Sequence, residues 1–236
     1  FIFPIRDGMS QTPELVIQKG HIGNVNDVVI TTDGCLFIRG SDDCTIKYWD
    51  LKSGKEIRTI DAFTQPVKKI AVTPDGHYFA CGSNKKEKTL KIYELATAKE
   101  IASMPAVNGE ILDICFSSDG TKLLAVIEED GFVTKVQVYD WGKGLLLKSP
   151  DLSSNEFVRT ARFSMGDKFI ITAGKRLSNI GDQNISVWNS TTGSREETFK
   201  NTPADINQVF VSKDGSSFFA GGNNLQFWDI PTKTVK

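Results

Sequence analysis

GHIGNVNDVVITTDGCLFIRGSDDCTIKYWD, residues 20–50, is the stretch that decides how the whole chain is read. It opens on Gly20-His21, reverses at Asp33-Gly34, reverses again at Ser41-Asp42-Asp43 and closes on Trp49-Asp50. Between the turns lie short runs rich in β-branched and aromatic residues, the composition of strands. Asp-Gly makes a tight reversal because glycine tolerates positive φ. Weaker copies follow. The first turn recurs at Asp75-Gly76, Asp119-Gly120, Gly166-Asp167 and Asp214-Gly215, at intervals of 42, 44, 47 and 48 residues. The closing pair recurs as Tyr93-Glu94, Tyr139-Asp140, Trp188-Asn189 and Trp228-Asp229, at intervals of 44, 46, 49 and 40. Two independent markers with one period define five copies of a single structural unit.

Within each copy the innermost strand is read at Val28-Val29-Ile30, Ile70-Ala71-Val72, Ile114-Cys115-Phe116, Ala161-Arg162-Phe163 and Val209-Phe210-Val211. A second strand is read at Cys35–Ile38, Tyr78–Cys81, Leu123–Val126, Phe169–Ile171 and Phe218–Ala220. These runs are almost continuously apolar, as strands are when both of their faces are covered. A third strand, Thr45–Trp49, alternates more, and a shorter fourth fits Glu56–Ile60 and Glu100–Ser103. Four strands in a period of roughly 40–45 residues form a propeller blade. The expected fold is all-β: a β-propeller of four-stranded antiparallel blades. Five blades are visible, at about residues 13–61, 62–105, 106–152, 153–201 and 202–236, after an extended lead-in over 1–12.

These residues closely resemble the WD40-repeat family, best over Gly20-His21, Asp33-Gly34, Gly40-Ser41, Asp43, Thr45-Ile46-Lys47 and Trp49-Asp50, and more loosely over the rest of residues 13–236. The resemblance implies a buried hydrogen-bonded chain of His, a turn Asp, a hydroxyl on the second strand and Trp. His21, Asp43 and Trp49 fill three of those places, and Arg39 stands where the hydroxyl belongs. A His beside an Asp suggests acid–base chemistry, but here the resemblance assigns both a structural role. It also bears on ring size, because such rings most often have seven blades and close when an N-terminal strand completes the last one. PELVIQK, residues 13–19, is placed to be that strand. Thr232–Lys236 already resembles the fifth unit's own outer strand, so a larger ring of about seven blades is expected, with a closed five-bladed ring as the rival.

Composition narrows the function classes. The 236 residues carry 28 basic and 29 acidic side chains, a net charge of −1, so no positive excess draws the molecule to nucleic acid or anionic lipid. With 39% hydrophobic residues the chain is globular rather than disordered, and no apolar run reaches the roughly 20 residues of a membrane span. Two histidines and four cysteines without CxxC spacing predict no metal centre and free thiols. No nucleophile elbow, phosphate-binding glycine loop or HExxH motif occurs, so neither catalysis nor a cofactor is expected.

A protein partner is the expectation that remains. The resemblance implies docking on the face formed by the loops before the first strand and between the second and third. Those loops diverge more than the strands do, and recognition can vary there without disturbing a scaffold. Lys85, Lys86 and Lys88 on the second unit are expected beside Glu128, Glu129 and Asp130 on the third, a two-signed surface. Phe132 and Phe157 fall near that rim, as apolar anchors or as residues buried against a neighbouring blade. The expected function is a non-catalytic interaction scaffold within a larger protein or complex, in the cytoplasm. A propeller hydrolase working in the central channel is the alternative, and a lipid- or nucleic-acid-binding propeller a weaker one.

Overall fold

The computed structural model describes residues 20–84, 90–104, 109–129, 133–152, 156–176, 184–199, 202, 205–232 and 234–235. All of its regular structure is β. Blade one comprises β1 (Val25–Ile30), β2 (Leu36–Ser41), β3 (Thr45–Asp50) and β4 (Glu56–Asp61). Blade two comprises β5 (Val67–Val72), β6 (Tyr78–Ser83), β7 (Leu90–Glu94) and β8 (Glu100–Ser103). Blade three is built from β9 (Glu110–Phe116), β10 (Lys122–Glu128), β11 (Thr134–Asp140) and β12 (Leu145–Leu146). Blade four is built from β13 (Glu156–Ser164), β14 (Phe169–Arg176), β15 (Ile185–Asn189) and β16 (Arg195–Phe199). Blade five holds β17 (Ile206–Val211), β18 (Ser217–Gly222), β19 (Leu225–Asp229) and β20 (Thr234–Val235). Each blade is an antiparallel meander in which every strand pairs with the next in sequence.

The turns between the first and second strands explain the sequence marker. In four blades a hydroxyl two residues before the Asp donates to its carboxylate: Thr31 to Asp33 at 2.6 Å, Thr73 to Asp75 at 2.5 Å, Ser117 to Asp119 at 2.6 Å and Ser212 to Asp214 at 2.5 Å. Blade four has Gly-Asp instead. There Met165, Gly166 and Asp167 are all left-handed, with φ of 50°, 63° and 64°. The displaced Asp167 carboxylate then accepts from the Ser118 amide of blade three at 2.8 Å, joining two blades.

Four hydrophobic cores lie between consecutive blades. Alternate residues of one strand serve different cores. Phe79 and Cys81 pack with Ile38 and Tyr48 of blade one, while Ala80 packs with Ile111 and Leu123 of blade three. Side chains on a strand point to opposite faces in turn, so a strand between two cores must be apolar at every position. This accounts for the unbroken runs in the sequence.

The innermost strands β1, β5, β9, β13 and β17 touch in that order, forming an arc that is not closed among the described residues. The outward faces of the end blades are consequently wet, contrary to the expectation of two covered faces. Val28 and Ile30 on blade one are 50% and 58% exposed, and Phe210 and Leu225 on blade five are 60% and 70% exposed. The fourth place in blade five is held by Thr234–Val235, paired with Trp228 and Asp229. Residues 1–12 and 13–19 lie outside the described residues.

One shared feature was not visible in the sequence. Every blade has a β-bulge where its first strand meets the second, between Val25 and Asp27, Val67 and Lys69, Ile111 and Asp113, Val158 and Thr160, and Ile206 and Gln208. In blade four the bulge brings the Phe157 carbonyl to 1.9 Å from where a Cβ on Gly174 would lie, so only glycine fits there.

Candidate functional site

The His21–Asp43 cluster is the place where the sequence most suggested chemistry. Asp43 sits in the β2–β3 turn and His21 on the segment leading into β1, with side chains only 5% and 1% exposed. His21 Nδ1 lies 2.9 Å and 3.1 Å from the two carboxylate oxygens of Asp43. The same carboxylate accepts from the Thr45 hydroxyl at 2.7 Å, the Thr45 amide at 3.0 Å and the Ile22 amide at 3.0 Å. Burial works against the Asp43 charge, but these donors outweigh it and hold the carboxyl well below the usual range. A base needs access to substrate, and this pair is sealed inside a turn. Its role is to fasten the entry of β1 to the β2–β3 hairpin.

Trp49 does not join that chain, which corrects the expectation drawn from the resemblance. Its indole N–H and His21 Nε2 are both buried and lack a hydrogen-bond partner among the described residues. The cause is Arg39. In place of a hydroxyl, its guanidinium lies 4.6 Å from the Phe37 ring centre and 4.7 Å from that of Trp49. Stacking on Phe37 and a cation–π contact therefore hold Trp49. The missing link occurs in blade four, where Trp188 Nε1 donates to Thr172 Oγ1 at 2.8 Å. Thr172 is opposite Ser186 and Arg39 is opposite Lys47, so they occupy matching register positions. The hydrogen-bonded chain is thus split, its His–Asp half in blade one and its hydroxyl–Trp half in blade four.

Of the residues expected on the loop rim, Lys85, Lys86, Lys88, Asp130 and Phe132 lie outside the described residues. Glu128 ends β10, and Glu129 pairs with Lys135 of its own hairpin at 2.7 Å. Phe157 is on the innermost strand of blade four and is buried, with Arg159 over its ring at 5.8 Å. Its place on that strand, rather than in the preceding loop, removes it as an exposed anchor.

Two carboxylates near the axis were missed. Asp27 and Asp113 each lie one residue past the bulge in blades one and three, and each reaches the innermost strand of the next blade. Asp27 accepts from the Ile70 amide at 2.8 Å. Asp113 accepts from the Thr160 hydroxyl at 2.6 Å and the Ala161 amide at 3.3 Å, and it is ion-paired with Arg162. Burial pushes the Asp27 carboxyl upward despite its amide donors. The signal was an acid at matching places in apolar runs, Val25-Asn26-Asp27 and Ile111-Leu112-Asp113.

Comparison with known proteins agrees with this geometry. Residues 45–219, most of the chain, match the family of unknown function DUF5711, and residues 12–50 match the WD domain, G-beta repeat. The chain is a WD-repeat protein of the DUF5711 family. This WD-repeat protein is 28% identical over 139 residues to the eukaryotic translation initiation factor 3 subunit I of Culex quinquefasciatus, covering 54% of this chain and 42% of that protein. It is 28% identical over 130 residues to a guanine nucleotide-binding protein subunit beta of Arabidopsis thaliana, covering 52% and 33%. It is 25% identical over 199 residues to the target of rapamycin complex subunit wat1 of Schizosaccharomyces pombe, covering 82% and 58%. The chain spans less than two thirds of the length of each of these relatives. Among the described residues no helix is long and apolar enough to cross a membrane.

Proposed function

We propose that this WD-repeat protein is a non-catalytic interaction module that docks protein partners on the loops between the second and third strands of its blades. The observation that carries this is variation on a constant frame. The five sheets share topology, bulge and interblade packing. Their second-to-third-strand connections nevertheless run over residues 42–44, 84–89, 129–133, 177–184 and 223–224. A loop can change length and charge there while the cores between blades stay intact. The relatives support the kind of partner, since those named above carry the word subunit in their names.

Lys85, Lys86 and Lys88 with Glu128, Glu129 and Asp130 supply the two-signed face on this proposal, and Phe132 an apolar contact within it. The net charge of −1 gives no general attraction to nucleic acid, so recognition is of protein. All four thiols are free, which fits a reducing compartment, and the cytoplasm is part of the proposal. The test is quantitative affinity capture from the native source with the wild-type chain, with Lys85→Glu/Lys86→Glu, and with Glu128→Lys/Glu129→Lys. Loss of the same partners from both variants, with melting unchanged, is the expected result. An identical partner set for all three proteins would sink the proposed face.

A further inference from the structure

Blade three lacks most of its outer strand. In blades one, two and four the third strand is flanked by β4, β8 and β16, of six, four and five residues, whereas β12 is Leu145–Leu146 alone. On that side of β11 only Tyr139 and Asp140 have strand partners among the described residues. One step further the Leu147 amide donates to the Val138 carbonyl at 2.7 Å, and the Val138 amide donates to Ser149 Oγ at 3.1 Å. There the ladder stops. Continuation would set Ser149 opposite Val136, but no backbone bond joins them among the described residues, and Pro150 fixes φ just beyond.

The remainder of β11 borders a groove. Successive residues of a strand direct their backbone groups to alternate sides. Since Val138 directs its N–H and C=O outward, Val136 and Thr134 do so too, and neither has an outer-strand partner among the described residues. Thr134 to Gln137 line a groove of about 740 Å³, closed on its far sides by Leu146–Leu152 and by Thr192–Ser194 of blade four. Val133 and Leu146 on its walls are 47% and 50% exposed.

We propose that this groove is a β-augmentation site, in which an extended peptide of a partner protein becomes the fourth strand of blade three. The shape of the occupant follows from blades one, two and four, where the equivalent edge is covered by a strand. Thr45–Trp49 of β3, for example, pairs with β4. The open edge of four residues spans roughly 13 Å at about 3.3 Å per residue, so a segment of four or five residues covers it. Backbone bonds to Val136 and Thr134 would supply affinity, and Val133 and Leu146 select apolar side chains at alternate positions of the peptide. The groove runs along the outer edge of β11 and meets the loop face only at its Val133 end, so it needs no partner docked on that face.

The probe is a synthetic peptide with the sequence of residues 55–62, KEIRTIDA, which contains the β4 segment covering the matching edge of blade one. Amide exchange and chemical shifts of the isotope-labelled chain are followed as peptide is added. In the free chain the Val136 amide is expected to exchange far faster than that of Ile46, which occupies the covered edge. Peptide should protect Val136 and shift residues 133–137 and 146–149 in a saturable way. Leu146→Asp, a change at an exposed residue, should weaken binding by at least about fivefold with melting unchanged. Val136 as well protected as Ile46 in the free chain would overturn the proposal, as would the absence of saturable shifts at 133–137. Peptide-induced shifts confined to the loop face would overturn it while leaving loop-face docking intact.

Discussion

Removing the Asp113 carboxylate should loosen blade three from blade four more than any comparable polar change in the chain. Asp113 is 3% exposed and serves four groups: its neighbour Ile114 through the amide, and Thr160, Ala161 and Arg162 of the next blade. Asp113→Ala takes the carboxylate from a hydroxyl, an amide and a partly buried guanidinium, which keeps only the Ala161 carbonyl at 2.7 Å as an acceptor among the described residues. Breaking a buried ion pair from one side costs about 3–5 kcal/mol, a large part of a typical folding free energy of about 5–15 kcal/mol. Asp27 occupies the matching position but receives only one amide from the next blade, Ile70, and its charge is disfavoured by burial. Asp27→Ala is therefore expected to cost about 1–2 kcal/mol. Urea unfolding of both variants gives the comparison. Native-state hydrogen exchange adds location, with the β13 amides opening first in Asp113→Ala. Equal losses below about 1 kcal/mol in the two variants would refute the claim that Asp113 anchors this junction.

Three further outcomes follow from the polar geometry. Thr172→Val keeps shape but leaves the Trp188 indole N–H buried and unpaired, so it should destabilise by about 1–3 kcal/mol in urea unfolding, while an effect within error would remove the hydroxyl–Trp link from the list of stabilising contacts. The Asp43 carboxyl is depressed in the folded state, so its contribution is present above the unfolded carboxylate value and disappears as pH falls from about pH 4 downward. The melting-temperature gap between the wild-type chain and Asp43→Asn should accordingly narrow on acidification, and a gap independent of pH would contradict the assignment. Asp27 has the opposite sign: its raised folded value makes the carboxylate a burden at neutral pH that protonation relieves. Asp27→Asn, which keeps an acceptor for the Ile70 amide, should melt at or above the wild-type temperature at pH 7, with the difference shrinking toward pH 4.

The repeat was legible because its markers are forced by local chemistry. Asp33-Gly34 and its three Asp-Gly copies are tied to a hydroxyl–carboxylate bond and a left-handed glycine, and the unbroken apolar runs follow from strands placed between two cores. What the sequence concealed depends on which residues meet across blades. Arg39 looked like a defect in one blade, yet it is the cation that holds Phe37 and Trp49. Thr172 looked ordinary until its register placed it under Trp188. Phe157 looked like a loop residue because Arg159 and Thr160 interrupt the apolar run, whereas β13 already begins at Glu156. The short fourth strand of blade three was invisible for another reason: outer strands carry little apolar pattern, and Leu145–Leu146 resembles any other pair.

That last point explains why a docking edge can arise in this fold at blade three. The outer strands bury little. In β8 and β16 most residues are exposed or half-buried, and both residues of β12 are exposed, whereas the second strands β6 and β10 are buried almost throughout. Stability resides in the cores between blades, which hold the inner three strands, so an outer strand is the element whose shortening perturbs the fold least. Its loss still leaves backbone donors and acceptors that demand partners, because an uncovered strand edge is a template for another strand. A change that hardly weakens the core thus leaves an open, directional strand edge on the surface. Restoring the strand should have the converse effect. Pro150→Thr, which lifts the ring's fixed φ so that the outer chain can lie along β11 and turn the Ser149 carbonyl to the Val136 amide, is expected to slow exchange of that amide and to lower the affinity for the KEIRTIDA peptide. Unchanged peptide binding in that variant, with Val136 protected, would show that the β11 edge is not where the peptide binds.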